Sequence, residues 1–564
     1  MHPCLQISEL QVHIFEYCKV DGLRALAALA RTCRAFYEPA LDILWRELDN
    51  VSPLIKCLPN ASWIEVQSFT PEDVPVITLQ LTGAPSSAQW HKIHAHASRV
   101  QKLTFCYQQY TDSGAIYRVS WATLAAFARY VRRRPGGPTG PLCLNLRALH
   151  VEYYDRRKLY VTECFPYIAG RALQELHSFC DGGPDGTTPT DTLELSRVMP
   201  LLASTSPNLH YISLRDSREH ANREPCSGVG TLLGKLQHLQ HLATCLTLEK
   251  QQFIHLASMK KLKSLSIALH MLPTESPLPS EGLLNGPGFQ TLEALTLDVK
   301  HLELATGFLN LLESPSLHRL RITTAMWQSD ATIERCFRAA AAQRNVRDLT
   351  LCVASAAPGP FAGALPAQCN LNARTIGLLF PLGALQTLSL HALDTARFET
   401  DLDDAGVAAL AAAWPALRSL ALVQGACAAR GAPLPPARTT LAALLALRDH
   451  CPLLAGLSLS LDTSRFDSGV LAAACAPAGG AGAALRKLNI GARSTPVSNH
   501  SVAAQVLHGL FPNLRSIHDG TSVAWDQETS DWQEVNAVLR RLFSPSPLEP
   551  PEALDSPPMD VGED

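Results

Sequence analysis

Residues 401–423 read DLDDAGVAALAAAWPALRSLALV, and this one stretch carries the two periodicities that decide the fold. Asp401, Asp403 and Asp404 offer side-chain acceptors and negative charge where a helix would begin. From Ala405 to Trp414 the residues are helix formers, with Val407, Leu410, Ala411 and Trp414 at i, i+3, i+4 and i+7 on one face. Pro415 stops that helix. The next residues change period: Leu420 and Leu422 share one face of a short strand, Ser419 and Ala421 share the other, and Leu417 sits at the turn leading in.

The strand phrase, Leu-x-x-Leu-x-Leu, recurs along the chain. Strong copies begin at Leu262, Leu292, Leu317, Val346, Leu385, Leu417, Leu454 and Leu485, and weaker ones at Val100, Leu146, Leu173, Leu209, Leu239 and Leu514. The fourteen copies recur with a mean period of about 32 residues, within the range of stacked-repeat architectures. A proline two residues before the first Leu marks the helix stop ahead of Leu209, Leu317, Leu417, Leu454 and Leu514. Strand, loop, helix and a further strand with the same inward face imply parallel strands joined by right-handed crossovers. At about 4.8 Å per strand, the inner sheet would be roughly 60 Å long. A doubly wound sheet would need a phosphate loop or a switch-point crevice, and the sequence offers neither.

Over roughly residues 96–543 the chain resembles the leucine-rich-repeat proteins. That resemblance implies an α/β solenoid, irregular in form, with parallel strands on the concave side, helices outside, and a surface for binding other macromolecules. Regular members place Asn or Cys three residues after the last Leu; here Lys300, Ala325, Gly425, Asp462 and Arg493 occupy those places, so uneven loops are expected. Pro/Gly-rich stretches near 135–141, 272–279, 358–366 and 431–436 read as insertions between repeats.

Composition narrows the class. Apolar residues make up 46% of the chain, enough for a large core. A net charge of −3 gives no electrostatic reason to expect nucleic acid or an anionic membrane as partner. The basic runs, Arg132 to Arg134 and Lys260, Lys261 and Lys263, are short and read as solvated surface. The N-terminus lacks a secretory leader pattern and no long apolar run exists, so a cytoplasmic or nuclear protein is expected. In that setting the 16 cysteines are reduced thiols, and no Cys-x-x-Cys pair is present to hold zinc.

Residues 1–50 lack the repeat phrase. They read as three helices, near 9–17, 23–31 and 33–44, with Ser8 positioned to cap the first and Asp21-Gly22 turning into the second. Leu10, Ile14 and Tyr17 recur at helical spacing on the first helix, as do Leu26, Leu29 and Ala30 on the second. A module this small leaves part of its apolar surface for a partner. Residues 51–95 read as a connecting segment and the Pro-rich, acidic stretch 544–564 as a disordered tail.

The run Ile7-Ser-Glu9-Leu10-x-x-x-Ile14-Phe15, followed by Leu29-Ala-Arg31-Thr-Cys33-Arg34-Ala-Phe36 and Pro39-Ala-Leu41-Asp-Ile-Leu44-Trp45-Arg46, resembles an F-box. It is most similar to the F-box proteins with irregular leucine-rich repeats found in mushroom-forming fungi. The resemblance implies docking to a Skp-family adaptor of cullin ubiquitin ligases through Ile7, Leu10, Ile14, Phe15, Leu41, Leu44 and Trp45, while the repeats hold a target protein. It implies no catalytic residue, cofactor or metal of the chain's own. The alternative is a repeat scaffold with no ubiquitin-ligase role, whose N-terminal helices only cap the first repeat.

Other constellations are weaker. His91, His94 and His96 gather near Trp90, but His96 would point away from His94 on a helix, and no Cys or carboxylate completes a metal site. His238 and His241 read the same way, as ordinary polar positions. Gly228-x-Gly230-x-x-x-Gly234-Lys235 resembles a phosphate loop only superficially, because Leu236 stands where Ser or Thr would be needed, and it reads as a loop. A GTPase-activating role would have Arg418, Arg486 or Arg515 as candidates by residue type alone.

Overall fold

The computed structural model describes residues 7–127 with breaks at 21, 71–72, 84, 107, 111–115, 121 and 125, and then 141–153, 168–180, 199–216, 227–245, 248, 250–269, 288–324, 329–354, 369–393, 398–423, 437–464, 484–491, 494–497, 499–519 and 531–543. Arg132 to Arg134, Ala325, Gly425, Arg493, the stretches 272–279, 358–366 and 431–436, and the tail 544–564 lie outside the described residues. The chain forms two compact units, Met1–Leu317 and His318–Asp564. No helix among the described residues is long and apolar enough to cross a membrane.

The first unit opens with three helices: α1 (Ser8–Val20), α2 (Leu23–Thr32) and α3 (Arg34–Arg46). The Ile7 carbonyl accepts from Gln11 N–H, so the helix begins one residue earlier than a Ser8 cap would allow, and the Ser8 hydroxyl instead donates to Glu9. Phe15, Leu26, Ala30, Ala40 and Ile43 form the core of the module, with Leu29, Phe36, Leu41 and Leu44 packed around it. The chain then runs straight into a two-residue strand, β1 (Glu47–Leu48), followed by a short helix, α4 (Ser52–Lys56).

The stretch read from sequence only as a connection is built. Strand β2 (Trp63–Phe69) pairs antiparallel with β3 (Pro75–Leu81), and helix α5 (Ser87–Ala97) follows. A capping box starts α5: the Ser86 hydroxyl accepts from Gln89 N–H, and Ser86 N–H donates to the Gln89 side chain. After β4 (Lys102–Cys106), strands β5 (Gln108–Tyr110) and β6 (Ile116–Val119) complete a small four-stranded sheet, where β6 joins β3 in parallel. Lys56 and Tyr117 converge on Glu65 at 2.6 and 2.8 Å and tie this sheet to α4.

The main sheet of this unit continues through β7 (Ala148–Tyr153), β8 (Glu175–Cys180) and β9 (Tyr211–Asp216). Helix α6 (Ser227–Lys235), β10 (His241–Thr244), α7 (Lys250–Ser258), β11 (Ser264–Leu269), β12 (Ala294–Val299) and α8 (Leu302–Asn310) follow. All of its strands run parallel, in the order β1-β4-β7-β8-β9-β10-β11-β12. The register lines up the middle residue of every phrase: Leu103 with Leu149, then Leu176, Ile212, Leu242, Leu265 and Leu295. All seven are buried, while strand neighbours such as His150, His177, Tyr211 and His241 lie on a half-exposed face. The repeat lengths are uneven, as expected: the interval from Leu242 to Leu265 is half that from Leu103 to Leu149.

The glycine-rich stretch at 228–235 is helical, not a loop. Leu232, Leu233 and Leu236 are buried at helical spacing, and this burial outweighs the helix cost of the glycines. Gly230 faces α7 so closely that a Cβ there would sit 3.0 Å from the Gln252 side-chain nitrogen, so the small residue serves packing rather than phosphate.

The second unit repeats the pattern. Strands β13 (Arg319–Thr324), β14 (Asp348–Ala354), β16 (Thr387–Leu393), β18 (Ser419–Val423), β19 (Gly456–Leu459), β20 (Lys487–Ile490) and β21 (Ser516–Asp519) lie parallel in chain order. Leu320, Leu349, Leu388, Leu420, Leu457, Leu488 and Ile517 stand in register and are buried. Helices α9 (Asp330–Ala342), α10 (Ala373–Gly377), α11 (Asp404–Ala413), α12 (Ala442–His450), α13 (His500–Leu510) and α14 (Asp531–Phe543) connect or follow them. The short strands β15 (Cys369–Asn372) and β17 (Phe398–Asp401) pair with each other.

The opening stretch behaves as its periodicities require. Asp403 caps α11 by accepting from Gly406 N–H at 2.8 Å, and Val407, Leu410, Ala411 and Trp414 are buried. Pro415 occupies a turn in which Trp414 C=O accepts from Leu417 N–H at 3.1 Å. The residue after the first Leu then donates to its counterpart in the preceding repeat, Arg418 to Gln386 and Ala455 to Arg418, each at 2.7 Å. In place of an Asn ladder the loops carry Thr and Asp. Asp404 accepts from the Thr440 N–H and hydroxyl, Asp462 N–H donates to Thr439 C=O, and the Thr495 hydroxyl donates to Asp462.

Candidate functional site

The three N-terminal helices sort their apolar residues into an inner and an outer set. Ile7, Leu10, Ile14 and Tyr17 advance by three and four residues, which keeps them on one side of α1. All four are exposed, Ile14 by 42% and Tyr17 by 76%. Val20, Leu23 and Tyr37 add further exposed apolar surface on the same module. Leaving this much apolar surface in water forgoes about 25 cal/mol per Å² of burial, a cost that a bound partner would remove.

The seven residues expected to meet an adaptor do not act as one group. Ile7, Leu10 and Ile14 form the exposed stripe. Phe15 must be corrected: it is 1% exposed and packs edge-on against Phe36 at 5.2 Å, so it builds the module instead of meeting a partner. It falls one residue past the stripe, which turns its side chain about 100° inward. Leu41 and Leu44 are half-buried against the module core. Trp45 is half-buried too, and its indole stacks on the His96 imidazole of α5 at 4.4 Å. Sequence spacing also places Tyr17 with the stripe, the most exposed of the four.

The module is joined to the sheet without a gap. Gln101 N–H donates to Arg46 C=O at 2.8 Å, and Leu48 stands in register with Leu103, so β1 is the first strand of the stack. Arg99 pairs with both Glu38 and Asp42 of α3. A cleft of about 600 Å³ lies along this seam, lined in part by Val12, Asp42, Arg46 and Arg99. Burial, and then the neighbouring Arg99, hold the His96 imidazole below its usual pKa. His96 therefore contributes a ring to Trp45, and His91, His94 and His96 form no metal cluster among the described residues.

On the half-exposed face of the first unit's sheet, rings stack across strands. His150 lies 4.2 Å from His177, His177 lies 4.5 Å from Tyr211, and Tyr211 lies 5.6 Å from His241. His241 is thus a strand residue in an aromatic row rather than an isolated polar position. Burial raises the thiol pKa of Cys57 and of Cys451 to about 11.

Comparison with known proteins fits this geometry at the N-terminus. No curated protein matches the chain. Among solved structures, it is similar to a chain of the Rad7 and Elc1 complex from yeast, at 15% identity and a TM-score of 0.33, with 73% of this chain and 85% of that chain covered. Residues 8–50, which span α1 to α3 and β1, match the F-box-like family.

Proposed function

We propose that this chain is the substrate-recognition subunit of a Skp–cullin–F-box ubiquitin ligase, of the kind in which an F-box precedes an irregular leucine-rich-repeat solenoid, as in the fungal set. One observation carries the reading: the segment that matches the F-box-like family leaves Leu10, Ile14 and Tyr17 exposed along a single helix face, with the exposed Ile7 just ahead of it. That stripe would dock a Skp-family adaptor, and the half-exposed sheet face would hold the target protein. The chain itself would be non-catalytic, working by proximity: a charged ubiquitin carrier held beside target lysines gains effective concentration with no chemistry from the receptor. Reduced thiols suit a cytoplasmic or nuclear setting.

The test is co-purification of the full-length chain with a Skp-family adaptor, wild type beside Ile14→Asp. Adaptor bound by the wild type and lost in the folded variant supports the proposal. Equal binding by both, or none by the folded wild type, overturns it.

A second reading is a repeat scaffold whose N-terminal helices only cap the stack. It is favoured by the continuous pairing of β1 with β4, which is what a cap requires. It predicts a folded chain that captures no adaptor.

A further inference from the structure

The row of rings on the first sheet begins with a group suited to more than stacking. Strands β7 and β8 set His150 directly opposite His177, and Glu175 lies two residues before His177, on the same face. One nitrogen from each imidazole and one Glu175 oxygen lie within 4.8 Å of one another. We propose that His150, His177 and Glu175 form a binding site for a divalent transition-metal ion, with Zn²⁺ the best fit.

The donor set argues for the class of cation. Two imidazoles and one carboxylate suit zinc and its neighbours, whereas calcium and magnesium take all-oxygen shells. Zinc bonds to nitrogen at about 2.0–2.1 Å, which requires ligand atoms roughly 3.3 Å apart. The candidate ligand atoms lie within 4.8 Å of one another, so metal binding calls for a small closing movement of side chains whose strands are held in fixed parallel register. Three protein ligands leave a fourth position for water or for a donor from a bound molecule.

The surroundings support the site. The cleft measures about 280 Å³ and is also lined by Glu152, Tyr211 and Arg215. Tyr211 stacks on His177 with 27° between the rings. Both imidazoles are half-buried on this face and lie 4.2 Å apart, centroid to centroid. His177 Nε2 already faces Glu175 at 3.8 Å. Lys102 and Arg215 add positive charge nearby, and Glu152 offsets part of it. The site uses residues separate from the F-box-like helices, so it stands whether or not the chain binds an adaptor.

The experiment uses the full-length chain, stripped with a chelator and titrated with ZnCl₂ at pH 7.5 by calorimetry. His150→Ala, His177→Ala and Glu175→Gln are run beside it, each checked by thermal melting without metal. One equivalent bound by the wild type should be missing from His177→Ala and His150→Ala. It should weaken about 10- to 100-fold in Glu175→Gln, at least the loss that follows removal of an outer-shell partner. Co²⁺ in place of Zn²⁺ should give a visible spectrum without a thiolate charge-transfer band, which separates this site from binding at cysteines. If a histidine variant fails to fold, Glu175→Gln decides. Unchanged stoichiometry and affinity in folded variants, or no bound equivalent in the wild type, would leave His150 and His177 as a stacked pair and overturn the proposal.

Discussion

The Trp45 indole lies on the His96 imidazole, with ring centroids 4.4 Å apart and 23° between the planes. One ring ends the third helix of the F-box-like segment and the other sits on the helix leading into the first long strand. Trp45 therefore belongs to the joint between module and sheet. Replacing it with Ala should cost about 1–3 kcal/mol, from lost burial and lost stacking. Chemical denaturation of the full-length chain would measure this, and a loss of adaptor capture in this variant alone would not identify a contact.

The same pair gives the joint a pH dependence. The folded state holds the His96 pKa below its unfolded value, chiefly by burial and then by Arg99. The unfolded chain therefore binds the proton first as pH falls. Stability is fully present above the unfolded pKa of about 6.5 and declines below it until the folded pKa is passed. His150, His177, His241 and His391 are shifted in the same direction, so the whole chain should melt lower at pH 5.5 than at pH 7.5. Comparing melts of His96→Gln with the wild type at the two pH values isolates the part due to His96, and an equal drop in both would assign it none.

Ile14 and Phe15 are chain neighbours with opposite roles. Ile14→Asp should leave stability within about 0.5 kcal/mol, as for an exposed site. If Ile14 anchors an adaptor, the change should weaken capture by about 2 kcal/mol or more, roughly thirtyfold. Phe15→Ala should instead destabilise the module by about 3–5 kcal/mol through a cavity beside Phe36. Circular-dichroism melts alongside capture assays would separate the two.

Leu420 sits between Leu388 and Leu457 in register, with 1% exposure. Leu420→Ala should cost about 2–5 kcal/mol, whereas Ser419→Ala on the other face should cost little. Urea unfolding of the two variants provides the comparison, and similar midpoints would contradict the assigned faces.

The Thr and Asp contacts that replace an Asn ladder can be tested at Asp404. Its carboxylate accepts from Thr440 N–H at 2.6 Å and from the Thr440 hydroxyl at 2.7 Å. Asp404→Ala removes a charged acceptor for both, and should cost about 1.5–3 kcal/mol. Thr440→Ser, which keeps the hydroxyl, should lose less in the same denaturation experiment.

The long strands were legible because each phrase carries its own period, and every one of the fourteen copies is a strand whose middle residue is buried in register. Features that depend on pairing between distant segments were not. Strand β1 is two residues long and gains its identity only by lying beside Leu103. Strands β2 and β3 do carry a local signal, since Pro75–Leu81 is rich in β-branched residues, but it lies outside the repeat and so reads as a connection. His150, His177 and His241 belong to different repeats, so their meeting follows from register and not from spacing. At 228–235 the glycines suggested a loop, while the buried leucines among them decided for a helix.

The bond from Gln101 N–H to Arg46 C=O leaves no slack between the third helix and the first unit's sheet. A load applied to α3 would pass into β4 as shear on backbone hydrogen bonds instead of being absorbed by a tether. A ligand gripped at Ile14 and another gripped near His177 would be held as on a rigid bracket, at a spacing set by the number of strands between them. Changing that spacing would take the gain or loss of a whole repeat, so the working distance of this unit is adjustable only in steps.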